Sequence, residues 1–129
     1  MTLRRLDHVL VLADDLEATR AFYCEALGLE VGERPPLEFP GYWLYLDGVP
    51  CVHVAERGPY EAHAAARGLQ GGPAVDHVAF AAEGYERVAA RIEAAGVHAV
   101  ANTVAGTGLR QLFLTDPNGI RIEVNVPGS

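Results

Sequence analysis

The sequence predicts an α+β fold in which a βαβββ module occurs twice along the chain. Three observations carry this prediction. The run Leu6-Asp7-His8-Val9 has a near copy in Val75-Asp76-His77-Val78, and the two histidines lie 69 residues apart in a chain of 129 residues. The same order of elements, a strand, a helix and three strands, is predicted for each half. The last strand of each half carries one of a matched pair of polar residues, His53 and Glu123.

Length and composition predict one globular domain, residues 1–129, which is large enough to bury a core. The formal net charge of −7 argues against nucleic acids and anionic membrane surfaces as partners, because both require basic patches. The chain has no apolar run of the roughly 20 residues that span a bilayer and no signal-like N-terminus, so a cytoplasmic protein is expected. Cys24 and Cys51 form no C-x-x-C motif and are expected to be reduced thiols.

The first module is predicted to span residues 4–56. It opens with aliphatic and β-branched residues, which favour a strand. Asp15 is a good N-cap residue, and Gly28 is placed to end the helix that lies between them. Gly48 is placed to turn the chain between the last two strands. The strands of this module are predicted at 5–13, 29–33, 42–47 and 49–55.

Residues 57–74 form a predicted linker with a helix-prone stretch at 61–67. Eighteen residues are long for a connection in a compact domain, so a hinge, a lid or a short helix is expected there. The second module is predicted to span residues 75–126, with a helix closed by Gly96 and a strong turn signal at Asp116-Pro117-Asn118-Gly119. Its elements are predicted as strands at 75–82, 97–104, 109–115 and 120–126 and a helix at 85–95.

Side chains alternate across a strand, so a sheet packed on helices has one apolar face and one open face. In the last strand Ile122 and Val124 face the helices, which places Glu123 on the open side. The same parity in the matching strand of module one places His53 on the open side. If the two sheets form one concave surface, four polar side chains can converge there: His8, His53, His77 and Glu123.

A metal ion is one explanation for this set. His8 and His77 lie among apolar residues, where an unpaired buried imidazole costs roughly 1–3 kcal/mol and a metal ion supplies a partner. Two imidazoles and the Glu123 carboxylate suit Fe(II) oxygen chemistry, and the same set binds Mn, Ni, Co or Zn. The alternative is structural, since a lone histidine on a strand is usually hydrogen-bonded and Glu123 could form a salt bridge with Arg121.

The open face is also predicted to carry aromatic side chains. Trp43 and Tyr45 alternate with apolar residues in one strand, and Phe113 occupies the position that corresponds to Trp43 in the second module. These rings either cover the open face or line a substrate pocket. Cys51 shares the parity of His53, and we expect it to be packed rather than reactive.

In their order and spacing these motifs resemble the vicinal oxygen chelate superfamily, which includes glyoxalase I, fosfomycin and bleomycin resistance proteins, and type I extradiol dioxygenases. The resemblance covers nearly the whole chain. It implies paired βαβββ modules that form a curved mixed β-sheet, with helices on the outer face, around one divalent metal ion. The family's metal ligands lie at the positions of His8, His77 and Glu123, and a homodimer that binds a small-molecule substrate is expected. The motifs are Leu6-Asp7-His8-Val9, Asp15-Leu16-Glu17, Phe22-Tyr23, Leu27-Gly28-Leu29, Asp76-His77-Val78-Ala79-Phe80, Phe113, Asp116-Pro117-Asn118-Gly119 and Ile122-Glu123.

The resemblance leaves the reaction open. At the position of His53, glyoxalase I usually has a glutamate that binds the metal, whereas extradiol dioxygenases have a histidine that acts as acid and base. Those dioxygenases also place a tyrosine ten residues before the ligand glutamate, where this chain has Phe113. Glyoxalase-type lyase or isomerase chemistry and ring-cleaving dioxygenase chemistry are therefore both expected candidates, with His53 and Glu123 as catalytic residues. The contrasting candidate is a metal-free drug-sequestering protein of the bleomycin-resistance type, a class that generally lacks the three ligands.

Overall fold

The computed structural model describes residues 2–72 and 74–128, so Pro73 of the predicted linker lies outside it. Within these residues the chain forms eight strands and three helices. The helices are α1 (Leu16–Ala21), which continues as a π-helical turn (Phe22–Ala26), α2 (Arg57–Ala66) and α3 (Tyr85–Ala94). The strands are β1 (Val9–Ala13), β2 (Glu30–Gly32), β3 (Gly41–Leu46), β4 (Val49–Glu56), β5 (His77–Ala81), β6 (Val100–Thr103), β7 (Arg110–Thr115) and β8 (Arg121–Val126).

The strands form two mixed four-stranded sheets, in the orders β1-β4-β3-β2 and β5-β8-β7-β6. In the first sheet β1 and β4 are parallel neighbours, and in the second sheet β5 and β8 are. The other neighbouring strands are antiparallel. The registers of the two sheets correspond, because Leu10 pairs with His53 in module one and Ala79 pairs with Glu123 in module two. The predicted α+β fold of two βαβββ modules is confirmed, and each module carries its own sheet.

One face of each sheet packs into a shared apolar core. Val52 and Val54 of β4 are 1% exposed, and Ile122 of β8 is fully buried, so the predicted strand parity is confirmed. The π-helical turn packs against α3, which joins the two modules through their helices. A buried hydrogen bond from the Tyr23 hydroxyl to the Asp116 carboxylate, 2.8 Å long, supports this junction.

Three local features differ from the sequence prediction. β1 begins at Val9, so His8 lies just before the strand rather than within it. α2 fills residues 57–66 and so begins four residues before the predicted helix-prone stretch, because Pro59 sits in the first turn, where no backbone N–H donor is needed. β6 is confined to residues 100–103. Among the described residues, no helix has both the length and the apolar character needed to cross a membrane.

Candidate functional site

The first candidate cluster lies on the open side of module one. His53 of β4 pairs in register with Trp43 of β3, and its ring lies between two others. The His8 ring stacks on it with centroids 3.7 Å apart, and the Trp43 ring stacks with centroids 4.1 Å apart. His53 is therefore only 8% exposed, and its Nε2 is buried without a hydrogen-bond partner among the described residues.

This environment keeps the His53 imidazole neutral. Burial lowers the pKa of His53 below its usual value, because an imidazolium loses hydration in the stack. The neighbouring His8 lowers the pKa further, since a second positive charge there is repelled. A neutral ring with a free Nε2 is suited either to bind a metal ion or to accept a proton.

The second cluster lies at the corresponding place in module two. The Glu123 carboxylate is 3.9 Å from His77 Nε2, and it accepts a hydrogen bond of 2.8 Å from the Asn125 side chain. Arg121 donates instead to Asp76, so the salt bridge between Arg121 and Glu123 that the sequence offered as an alternative does not form. Glu123 is largely buried, with a side chain that is 17% exposed.

Each histidine of the repeated motif is held by the aspartate that precedes it. The Asp7 carboxylate lies 2.7 Å from His8 Nδ1, and the Asp76 carboxylate lies 3.0 Å from His77 Nδ1. The hydrogen bond from His8 is the main cause of the lowered pKa of Asp7, and that from His77 lowers the pKa of Asp76 in the same way. A carboxylate on Nδ1 fixes the ring and leaves Nε2 free, as is typical of metal-binding histidines.

These aspartates are functional candidates that the sequence reasoning missed, although the repeated Asp-His dipeptide was a signal for them. One premise of that reasoning was also wrong. His8 and His77 are not buried, since their side chains are 37% and 40% exposed. Their aspartates already supply hydrogen-bond partners, so an unsatisfied buried imidazole cannot be the reason for expecting a metal ion.

The four predicted polar residues therefore form two pairs, His8 with His53 and His77 with Glu123. Within residues 2–72 and 74–128, no group of three or more histidine, cysteine, aspartate or glutamate side chains is arranged to hold a metal ion. The predicted ligand set of His8, His77 and Glu123 thus does not meet in one place within the single chain. Module one presents His8, and module two presents His77 and Glu123.

The predicted aromatic residues take three different positions. Trp43 covers His53, and Phe113 pairs in register with Glu123. Tyr45 and Trp43 line a cavity of about 440 Å³ together with Glu33, Arg34 and Pro35. The Tyr45 hydroxyl donates to the Glu33 carbonyl at 2.7 Å, which fixes one wall of this cavity.

Two further residues, one in β3 and one in β4, bear on the chemistry beside His53. Cys51 is a free thiol, as is Cys24, and burial raises the pKa of Cys51, so its thiolate is disfavoured. Tyr42 donates its hydroxyl to the Glu17 carboxylate at the start of α1, on the helix side of the sheet. Neither residue adds an acid or a base beside His53.

Comparison with known proteins identifies the family. The model of the glyoxalase/bleomycin resistance protein/dioxygenase superfamily matches residues 5–124, which is nearly the whole chain. The chain belongs to this superfamily. Among relatives of the superfamily, Glyoxylase I 4 of Arabidopsis thaliana is 30% identical over 129 residues, which cover 95% of this chain and 70% of the plant protein.

Solved structures share the superfamily fold at lower identity. A glyoxalase family protein from Bacillus anthracis superimposes with a TM-score of 0.74, at 22% identity, over 98% of each chain. TnmS3, an antibiotic-binding protein from Streptomyces sp. CB03234, superimposes with a TM-score of 0.72, at 18% identity, over 99% of each chain. A glyoxalase family protein and an antibiotic-binding protein thus share this architecture, and the fold alone does not determine the reaction.

The side chains fit the divalent metal ion that is common in this superfamily. His8 and His77 leave Nε2 free, and His53 has a buried Nε2 without a partner among the described residues. Two ligands of one ion lie roughly 3.0–3.5 Å apart when each is at 2.0–2.2 Å from the metal. The 3.9 Å between His77 Nε2 and the Glu123 carboxylate is only slightly longer than this separation.

Proposed function

We propose that the chain is a divalent-metal-dependent enzyme that acts on a small substrate through two vicinal oxygen atoms, with lyase or isomerase chemistry of the glyoxalase type. The observation that carries the proposal is the pair of matched half-sites. Each half-site joins one aspartate-held histidine, His8 or His77, to a second donor, His53 or Glu123. A structural role alone does not account for the same arrangement occurring twice.

In this proposal His8, His77 and Glu123 hold the metal ion. A divalent ion bound there supplies a Lewis acid that polarises a substrate carbonyl oxygen. Asp7 and Asp76 orient the two imidazoles, and Asn125 orients the Glu123 carboxylate. Trp43, Tyr45 and Phe113 bind the carbon frame of the substrate, because Trp43 and Phe113 pair with His53 and Glu123 and Tyr45 lines a cavity with Trp43.

His53 and Glu123 are the proposed catalytic residues. His53 accepts a substrate proton at Nε2, and the Trp43 and His8 rings fix the plane in which that nitrogen lies. Stacking on Trp43 also keeps water away from His53, and the lowered pKa of the ring favours return of the proton to the substrate. Glu123 is the second group that can take up or return a proton, since its carboxylate is near His77 and largely shielded.

Two copies of the chain complete the site in this proposal. β1 and β5, the strands beside His8 and His77, are both at the edge of a sheet and carry unpaired backbone groups. Exposed apolar side chains lie next to these histidines, with Leu6 at 83% and Val75 at 76% exposure. A symmetric dimer that sets β1 of one copy beside β5 of the other covers these residues and joins the two half-sites.

Ring cleavage is the second candidate reaction, and the side chains around His53 favour it less. The tyrosine that extradiol dioxygenases place ten residues before the ligand glutamate is replaced by Phe113. Tyr42 and Tyr45 do not replace it, because their hydroxyls donate to Glu17 and to the Glu33 carbonyl. The chain thus offers proton-transfer groups at His53 without a phenol to assist oxygen chemistry.

The proposal is tested by elemental analysis of protein purified without chelators, followed by two substrate screens. We expect one divalent metal ion per chain, and its loss in His8→Ala and His77→Ala but not in the matched control His98→Ala, whose side chain is exposed and outside the site. We then expect conversion of the hemithioacetal of methylglyoxal and a thiol, and no yellow product from catechols under oxygen. A chain that binds no divalent metal, yet binds drugs tightly, is a sequestering protein and contradicts the proposal.

A further inference from the structure

The loop after β2 places a positively charged side chain in the cavity that Trp43 lines beside the first half-site. Arg34 follows β2 and folds back over the sheet, where its Nη2 donates to the Phe39 carbonyl at 2.7 Å and its guanidinium lies 5.2 Å from the Phe39 ring centroid. Gly41 makes room for it, since a Cβ there would lie 3.0 Å from Nη2. The side chain is therefore held in place by β3 and by its own loop.

This guanidinium has no counter-ion in the described part of the chain. Within residues 2–72 and 74–128, no carboxylate lies within 4 Å of Arg34, and its Nε is buried without a hydrogen-bond partner. Six other arginines of this acidic chain pair with a carboxylate, for example Arg57, which is 2.7 Å from Asp14. A partly desolvated cation that lacks an anion gains more from binding one than a hydrated surface cation does.

The side chain also borders a space that a ligand can enter. Arg34 lines the cavity of about 440 Å³ whose aromatic walls are Trp43 and Tyr45. The Trp43 ring also stacks on the ring of His53, the proposed proton acceptor. A small molecule in this cavity thus meets the Arg34 guanidinium and the Glu33 side chain at its polar end, and it approaches the first half-site along the Trp43 ring.

We propose that Arg34 binds a carboxylate group of the substrate, so that among substrates of the proposed reaction the enzyme prefers those that carry a carboxylate. The planar guanidinium matches a carboxylate geometrically, and the aromatic walls suit a flat carbon frame of 2-oxo acid type. As a statement about the substrate, this inference rests on the proposed function. The binding of a carboxylate at Arg34 needs no metal ion and is measurable by itself.

Trp43 makes the test direct, because it is the only tryptophan of the chain and lies in the cavity wall. Its fluorescence is followed in chelator-treated protein during titration with phenylglyoxylate and with its methyl ester, which has the same carbon frame but no charge. We expect the acid to bind about tenfold or more tightly than the ester, and its affinity to fall as salt is added. Equal binding of the two compounds overturns the inference without any variant.

Variants then assign the effect to Arg34. Arg34→Gln is expected to remove the preference for the acid, whereas Arg87→Gln, at an exposed arginine of α3, retains it. Far-UV circular dichroism and a melting curve establish that each variant is folded. Retention of the preference in folded Arg34→Gln overturns the assignment. If the metal analysis finds no metal but the acid still binds through Arg34, the inference stands and the metal-dependent enzyme does not.

Discussion

The two modules share the strand register around the equivalent point of β4 and β8 but differ in chemistry there. In module one β4 presents His53, a neutral ring closed between Trp43 and His8. In module two β8 presents Glu123, a carboxylate beside a histidine that is 40% exposed. The register against the neighbouring strands is the same in both modules. The repeat thus supplies two corresponding sheets. The presence of His53 at this position in one module and Glu123 in the other makes the first half-site aromatic and neutral and the second charged.

The largest expected effect is on kcat and comes from a substitution in the first half-site alone. His53→Ala removes the proposed proton acceptor but none of the three proposed ligands, so kcat should fall by roughly 10²- to 10⁴-fold while metal content is retained. The measurement combines steady-state kinetics with elemental analysis of the same sample. His98→Ala serves as the control and should keep both. If His53→Ala loses the metal together with the activity, His53 is a ligand, and the chemical contrast between the halves is smaller than proposed.

Substitution of the two aspartates tests whether each aspartate supports metal binding by the histidine that follows it. Asp7→Asn and Asp76→Asn each replace the carboxylate that holds His8 or His77, and metal affinity should fall by roughly 10- to 100-fold in both variants. Competition with a chromophoric chelator gives the affinities. Asp47→Asn, at the tip of the turn between β3 and β4, is the matched control and should bind the metal as tightly as the wild type. An effect in only one of the two variants would mean that the repeat is structural in the other module.

The junction between the modules gives a smaller effect on stability. Tyr23→Phe leaves the Asp116 carboxylate without one of its buried donors and should lower the free energy of unfolding by about 1–3 kcal/mol. The matched control is Tyr85→Phe, because the Tyr85 ring lies under Arg110 and its hydroxyl has no hydrogen bond among the described residues. Urea denaturation of both variants measures the difference. Equal stability of the two variants would show that the Tyr23–Asp116 bond does not hold the modules together.

Much of this comparison could be predicted from the sequence, because periodicity and repeat spacing determine which face a strand residue occupies. The equivalence of His53 and Glu123 followed from parity and is confirmed by their pairing with Leu10 and Ala79. The aspartate–histidine contacts were not predicted, since they depend on rotamers that spacing does not specify. Arg34 was missed because the path of its loop depends on Gly41 and Phe39.

The distribution of the site over two half-sites could not be predicted either. Sequence parity shows that His8 and His77 occupy like positions, but the placement of one module against the other depends on long-range packing. Here the π-helical turn packs on α3, and Asn118 bridges to Thr19 with a side-chain hydrogen bond of 3.0 Å. These contacts between helices and loops leave the two open faces apart, and no local sequence pattern encodes them.

The central claim is that one metal ion is held by His8 from one copy and by His77 and Glu123 from the other. It is tested most directly with a heterodimer of His8→Ala and His77→Ala chains, purified through two different tags and analysed for bound metal. Neither homodimer has an intact site, but the heterodimer should regain one of its two sites, and therefore about half of the metal of the wild type. A heterodimer as empty as either parent would place all three ligands within a single chain and contradict the account.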